Sequence, residues 1–349
     1  MTEVLKSDLR KLSIDQLTDV MMSMGEPAFR SRQIYEWLWQ KSATDIAEMT
    51  NLPLTLRKKL EDIYVINAIK TDKIQKSLDG TIKTRFILHD GHKIEAVLIP
   101  LPDDKRFTVC VSTQVGCSLT CKFCATGQMK RVRNLDPSEI YDQYVLVNQQ
   151  CVNAFGSPLT NVVYMGMGEP LLAYSSTLES IELLTSPSGL NISPKRITVS
   201  TAGIAKMITR LADEDVKFNL ALSLHAADDV KRNEIMPINE QNNLEALMTS
   251  LNYFYRKTGN KISYEYIAFK NFNDGMEDAK NLLKLCKQFP VKVNIIEYNA
   301  IEGVEFIKAD EEKINNFAKY LRSHDIMITI RRSRGKDIDA ACGQLANKE

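Results

Sequence analysis

The run Cys117-Ser-Leu-Thr-Cys121-Lys-Phe-Cys124 decides how this chain is read. Three thiolates on one tight loop can hold three corners of a [4Fe–4S] cluster, because soft sulfur suits the iron of such clusters. The fourth iron is then left without a protein ligand and stays open to a small chelating molecule. A structural zinc site wants four Cys or His ligands, often as paired C-x-x-C. No fourth ligand lies close by, since the nearest histidine in sequence, His92, is well upstream. The spacing favours iron–sulfur over zinc.

Outward from this loop the chain alternates strands and helices. Strands are predicted at 107–112, 161–165, 196–200, 217–224, 262–269 and 291–298, with helical patterning between them. The first helix has a well-formed start, with Asp136 at the N-cap, Pro137 behind it and Glu139 at the third position. Six βα units imply a right-handed parallel sheet, and a partly open (βα)6 barrel fits. Period-2 patterning sets Phe107, Val109 and Val111 against Thr108, Cys110 and Ser112. Likewise Phe218, Leu220, Leu222 and Leu224 oppose Asn219, Ala221, Ser223 and His225, and Ile197 and Val199 oppose Thr198 and Ser200. On parallel strands the apolar face meets the helices and the small polar face looks into the lumen. A polar lumen with Ser200, Ser223 and His225 at strand ends points to a polar cofactor.

Ahead of the barrel, residues 1–65 read as helical, with a capping box at Ser13-Ile-Asp-Gln16 and apolar spacing in Arg32-Gln-Ile-Tyr-Glu-Trp-Leu-Trp39. Residues 66–102 read as a β-meander turned at Asp79-Gly80 and Asp90-Gly91. The expected domains are a helical accessory, RNA-binding domain (1–65), a meander linker (66–102) and a core (103–349). With 44% hydrophobic and 26% charged residues over 349, the composition is that of an ordinary soluble globular protein. The polar opening segment lacks a signal-peptide core and no apolar run is long enough to span a bilayer. Seven cysteines without an export signal then point to the reducing cytosol, so a cytoplasmic protein without membrane contact is expected. The net charge of +1 says little, but its distribution says more. Lys122, Lys130, Arg131 and Arg133 follow the cysteine loop, and Arg331, Arg332, Arg334 and Lys336 precede Cys342, with no acidic residue in either run. Two such runs beside special cysteines suggest a phosphate-rich substrate.

The cysteine spacing resembles the signature of the radical S-adenosylmethionine (AdoMet) superfamily, in which AdoMet chelates the open iron. One electron then splits its sulfonium into a 5′-deoxyadenosyl radical. The strand Asn161-Val-Val-Tyr-Met165 running into Gly166-Met-Gly-Glu-Pro170 resembles the superfamily element that grips the AdoMet amino group. Together with Ser223-Leu-His225 and Asp337-Ile-Asp-Ala-Ala-Cys-Gly-Gln-Leu345, these motifs resemble the dual-specificity radical-AdoMet RNA methyltransferases over essentially the whole chain. Those enzymes methylate C2 of adenosine in the peptidyl-transferase centre of 23S rRNA and 3′ of certain tRNA anticodons. Adenine C2 is too electron-poor to attack a sulfonium methyl, so the family uses two AdoMet molecules per turnover. One methylates a cysteine, here Cys342. The other yields the radical that activates this methyl for addition to C2, leaving RNA bound to the enzyme. A second thiolate, here Cys110, releases the product through a transient disulfide. The resemblance further implies cluster ligands Cys117, Cys121 and Cys124, with Glu95 as proton acceptor. It implies AdoMet contacts from Gly168, Glu169, Ser200, Ser223, Leu224, His225 and Asn299. A monomer served by an electron donor such as flavodoxin or ferredoxin is also implied.

Without the resemblance, Cys110 and Cys342 would read as buried packing residues, Glu95 as an exposed strand carboxylate and His225 as a satisfied core histidine. Cys151 and Cys286 fall in helical patterns and read as core, as does the Trp37/Trp39 pair. A sister group methylates C8 of the same ribosomal adenosine and shares the five functional cysteines. It differs at the proline matching Pro170 and lacks Arg331-Arg-Ser-Arg-Gly335, so the sequence sides with C2. A non-catalytic metal-holding RNA-binding protein would leave the polar lumen and two further placed cysteines unexplained.

Overall fold

A computed structural model describes residues 6–348; residues 1–5 and 349, at the ends of the first and third expected domains, lie outside the described residues. Three helices open the fold: α1 (Ile14–Ser23), α2 (Phe29–Trp39) and α3 (Leu54–Ile63). The expected capping box forms, with the Gln16 N–H donating to Ser13 Oγ at 3.2 Å and the Ser13 N–H donating to Gln16 Oε1 at 2.9 Å. Buried Arg10 fastens this module to α4 (Pro137–Phe155), its Nη1 donating to both Asp142 carboxylate oxygens at 2.9 Å. Trp39 meets Tyr141 edge-on with ring centroids 5.2 Å apart, so it is core, while half-buried Trp37 donates its indole N–H to Asn51.

Ten strands form one sheet in chain order: β1 (Lys70–Lys76), β2 (Ile82–Ile87), β3 (Lys93–Leu101), β4 (Arg106–Cys110), β5 (Asn161–Tyr164), β6 (Ile197–Thr201), β7 (Asn219–Ser223), β8 (Ile262–Ala268), β9 (Lys292–Glu297) and β10 (Met327–Arg331). Strands β1 to β4 pair antiparallel and β4 to β10 parallel. The meander therefore extends the barrel sheet directly, from Val97 beside Cys110 to Leu101 beside Arg106. Edges remain at β1 and β10, so the barrel stays open. The parallel part has seven strands where six were expected. Ile326-Met-Ile-Thr-Ile330 alternates as a strand should, but the arginines beside it drew the reading toward a basic run.

Helices α4, α5 (Tyr174–Thr185), α6 (Ala205–Asp213), α7 (Asp229–Ile235), α8 (Leu244–Thr258), α9 (Met276–Cys286) and α10 (Glu311–Arg322) occupy the crossovers. Alternate strand residues such as Val109, Val162, Ile197, Val199 and Leu220 are fully or almost fully buried in one core, as the period-2 pattern requires. Cys151 and Cys286 sit in that core as expected. No helix among the described residues is long and apolar enough to cross a membrane.

Candidate active site

The polar strand ends open on a cavity lined by Cys117, Cys121 and Cys124, by Gly168 and Glu169, by Ser200, Ser223 and His225, and by Cys342. Residues scattered over 225 positions of sequence thus meet at one mouth, at the C-terminal ends of the parallel strands. The cysteine loop passes between β4 and α4. Its Lys122 N–H donates to the Ile235 carbonyl at 3.0 Å, and Gly127 lies so close to Cys121 that a Cβ there would stand 2.9 Å from the Cys121 carbonyl oxygen. Burial pushes the Cys117 thiol up to about 11 and raises Cys121 and Cys124 as well. Binding of iron is what converts such thiols to thiolates, with release of protons.

Glu169 is 3% exposed and held by the N–H groups of Ala202 at 2.8 Å and Leu171 at 3.0 Å. Burial raises its carboxyl to about 7 against those hydrogen bonds, and among the described residues it pairs with no basic side chain. Gly168 has φ +98°, and a Cβ would meet Gln114 at 2.5 Å, so glycine is required for the turn that aims Glu169. Ser200 Oγ and Ser223 Oγ stand 3.3 Å apart on neighbouring strands. His225 has φ +55°, and its Nδ1 accepts from the Ile267 N–H at 3.1 Å. Burial, aided by Arg232, drives its pKa down to about 3, so the ring is neutral.

Cys342 lines the cavity; it is exposed as a residue, yet desolvation of its thiol raises the pKa. Asn299 Nδ2 donates to the Cys342 carbonyl at 3.3 Å. Cys110 is buried behind the cavity wall; burial raises its thiol, and the neighbouring charge of Cys342 raises it further. Glu95, 1% exposed, is not the solvent-facing carboxylate of the bland reading. Its Oε2 accepts from the N–H groups of Ala346 at 3.0 Å and Asn347 at 3.2 Å, and its Oε1 stands 3.5 Å from Lys83 Nζ. Glu95, Cys110, Leu224 and Asn299 are not among the residues that line the cavity.

Arg331, read from sequence as part of a phosphate-facing basic run, lines the cavity, and so does Glu265, which the sequence reading missed. An acid at the centre of Ile262-Ser-Tyr-Glu-Tyr-Ile-Ala268, in phase with Ser263, was the available signal. The basic runs are less free than their composition suggests. Arg133 pairs with Asp90 and Glu139 at 2.6 and 2.7 Å; Arg332 pairs with Glu297 at 2.6 Å and with Glu311; Lys336 reaches Glu297 at 2.9 Å. The carboxylates arrive from other elements, which is why the runs looked unopposed.

These residues fit a cluster with AdoMet beside it. Three cysteine thiols and the Glu169 carboxylate at one cavity are the donor set that a cluster with an open iron and a chelating amino acid would use. The Glu169 carboxylate, in no ion pair among the described residues, suits an ammonium group, while Glu265 Oε2, which accepts no hydrogen bond, stands 3.5 Å from Arg331 Nη1 at the same cavity.

Residues 111–286 match the Radical SAM superfamily, which together with the open parallel sheet and the cysteine loop defines a radical AdoMet enzyme with a [4Fe–4S] cluster. Residues 7–66 match the ribosomal RNA large subunit methyltransferase N-terminal domain. The chain is 56% identical over 348 residues to the probable dual-specificity RNA methyltransferase RlmN of Cytophaga hutchinsonii, covering 100% of this chain and 95% of that one. It is 42% identical to the dual-specificity RNA methyltransferase RlmN of Nautilia profundicola, covering 97% and 99%. A crystal structure of a radical SAM methyltransferase from Sphaerobacter thermophilus superposes with a TM-score of 0.91 at 38% identity, covering 98% of this chain and 100% of that one. The chain belongs to the dual-specificity RNA methyltransferase RlmN family.

Proposed function

We propose that the chain methylates C2 of adenosine in 23S rRNA and in tRNA, through a methyl group carried on Cys342 and a covalent RNA intermediate resolved by Cys110. The observation that carries this reading is the meeting of Cys342, the three-cysteine loop and Glu169 at one cavity, with Cys110 buried at the end of β4 beside the strand that leads to Gly168 and Glu169. When bound, the cluster and AdoMet supply a methyl group and, from a second AdoMet, a hydrogen-abstracting radical.

The chain's own residues do the rest. Cys117, Cys121 and Cys124 hold the cluster. Glu169 takes the AdoMet ammonium, with Gly168, Ser200, Ser223, Leu224 and His225 shaping the pocket around it. The Leu224 N–H is fixed by the Glu265 carbonyl at 3.0 Å, which sets the path of that strand end. Asn299 steadies the Cys342 loop from below. Cys342 carries the carbon that joins adenine C2. Once the adduct has lost one electron to the redox partner and the C2 proton to a base, the Cys110 thiolate attacks the Cys342 sulfur. The S–S bond forms as the S–C bond breaks, and the released carbon takes a proton to become the methyl group. Glu95 accepts the proton lost from C2. Its Oε2 is held by tail amides, so displacement of the tail frees it for that step.

The helical module of residues 1–65 serves as the RNA-contacting accessory domain, and the remainder is catalytic. A flavodoxin- or ferredoxin-type donor supplies electrons to this monomer in the cytoplasm. Mass spectrometry of rRNA and tRNA from cells with and without the gene tests the assignment. Loss of 2-methyladenosine in both RNAs is expected, whereas loss of 8-methyladenosine would overturn the C2 assignment.

A further inference from the structure

Helix α7 lies between β7 and α8 and carries Arg232, the largest side chain in the fold with essentially no exposed surface. Burying a guanidinium is costly unless its charge is met. Its Nε donates to the Leu224 carbonyl at 3.0 Å, Nη1 to Asn239 Oδ1 at 2.5 Å, and Nη2 to the carbonyls of Ala202 at 2.5 Å and Ser223 at 3.2 Å. Every acceptor is neutral. Among the described residues Arg232 forms no ion pair; Asp229 reaches it only through Asn239, whose Nδ2 donates to Asp229 Oδ1 at 2.8 Å. Dipoles solvate the cation directly, and the only carboxylate whose charge favours it, Asp229, makes no direct contact with it.

The cysteine loop meets the same elements. The Lys122 N–H donates to the Ile235 carbonyl at the end of the same helix, and Cys117, Cys121 and Cys124 pack against the apolar cluster that includes Ala202, Ala226, Ile235 and Met236. Ala202 and Ser223, whose carbonyls Arg232 holds, line the cavity with the three cysteines. The neighbouring imidazole of His225 is neutral and adds no charge. A cluster held by three thiolates is the anion this arrangement lacks.

We infer that Arg232 is the buried counter-cation of the iron–sulfur cluster and holds its reduction potential up. Reduction adds one negative charge to the cluster, and a fixed cation in a low-dielectric surrounding favours that added charge. Arg232 acts through the cluster without touching substrate, as a positioning and electrostatic residue. The inference rests on the three-cysteine cluster reading proposed above.

The test is an EPR-monitored redox titration of the reconstituted full chain, with iron and sulfide counted on the same samples. Arg232→Gln should shift the midpoint potential to more negative values, while Arg232→Lys, which keeps the charge, should stay near the parent. Asp229→Asn removes the one carboxylate facing Arg232 through Asn239 and should shift the potential the opposite way. An unchanged potential in Arg232→Gln, or equal shifts in the Gln and Lys variants, would overturn the inference and leave Arg232 as packing. Should Arg232→Gln bind too little cluster to titrate, Asp229→Asn decides: a positive shift sustains the inference and no shift defeats it. A parent protein that takes up no iron would instead defeat the cluster reading itself.

Discussion

The loop bearing Cys117, Cys121 and Cys124 and the segment bearing Cys342 face one cavity, yet different forces hold them. The first is anchored by burial: Leu119 and Phe123 pack with Ile235, Met236 and Phe269, and Gly127 is pressed on the Cys121 backbone. The second enters the core only through Ala340, Ala341 and Leu345. It touches the cysteine loop where the Ala125 N–H donates to the Gly343 carbonyl at 2.7 Å and Thr126 Oγ1 donates to the Leu345 carbonyl at 2.6 Å, and it is tied on its flanks by polar contacts to the meander. Asp337 accepts from Ser77 Oγ at 2.5 Å and the Leu78 N–H at 3.2 Å, Asp79 accepts from the Gly335 N–H at 2.9 Å, and Arg85 donates to the Lys348 carbonyl at 2.9 Å. Close packing resists displacement in every direction, while hydrogen bonds near solvent exchange for water at about 1 kcal/mol each. A cofactor site needs preorganisation, and a methyl carrier that must meet AdoMet, RNA and Cys110 in turn needs release. The two anchoring modes match those demands.

The largest effect expected follows from the buried loop. Cys117→Ala, Cys121→Ala and Cys124→Ala should each abolish cluster binding and all methylation, read by iron and sulfide analysis. Full iron content in any one of them removes that residue from the ligand set. On the polar side, Asp337→Asn should leave cluster content unchanged while slowing formation of S-methyl-Cys342 on the order of tenfold, the weight of one charge-assisted hydrogen bond. Mass spectrometry of the protein in single turnovers measures this, and a loss of iron in that variant would erase the contrast between the two regions.

The same contrast explains what could be read from sequence. The cysteine loop is local, so its spacing sufficed, and the strand periodicity placed Ser200, Ser223 and His225 correctly at the strand ends. Partners distant in sequence were invisible. Glu297 and Glu311 lie outside the run Arg331–Lys336 but meet it in space. Arg232 drew no reading from sequence, because nothing local says that three carbonyls from two strand ends surround it. Strand β10 was hidden by the arginines adjoining it.

Smaller effects sharpen the picture at the tail. Burial alone would raise the Glu297 carboxyl, but Arg332, Lys336 and Lys308 bring it down from 4.5 to about 2. With the folded value depressed, its stabilisation is complete above about pH 4.5 and fades as pH falls toward 2. Glu297→Gln should therefore lower the melting temperature by roughly 2–4 °C at neutral pH, with the gap narrowing in acid. A gap independent of pH would contradict the ion-pair account. Lys130 is exposed and not committed to a carboxylate, so Lys130→Ala should reduce the slope of log affinity for RNA against log salt by about 1. Arg332→Ala should leave that slope nearly unchanged, because its charge is already spent on Glu297 and Glu311. Equal slopes in both variants would mean that internal pairing does not withdraw Arg332 from RNA.

The central claim is that Cys342 carries the methyl group while Cys110 releases the product, and trapping the covalent RNA adduct tests it most directly. Cys110→Ala, reconstituted and supplied with AdoMet, reductant and RNA, should accumulate RNA attached through Cys342, seen as a nuclease-sensitive shift on a denaturing gel. Cys342→Ala and the double variant should show no shift, as expected of residues acting in one pathway. Normal turnover by Cys110→Ala, or an adduct that survives loss of Cys342, would contradict the account.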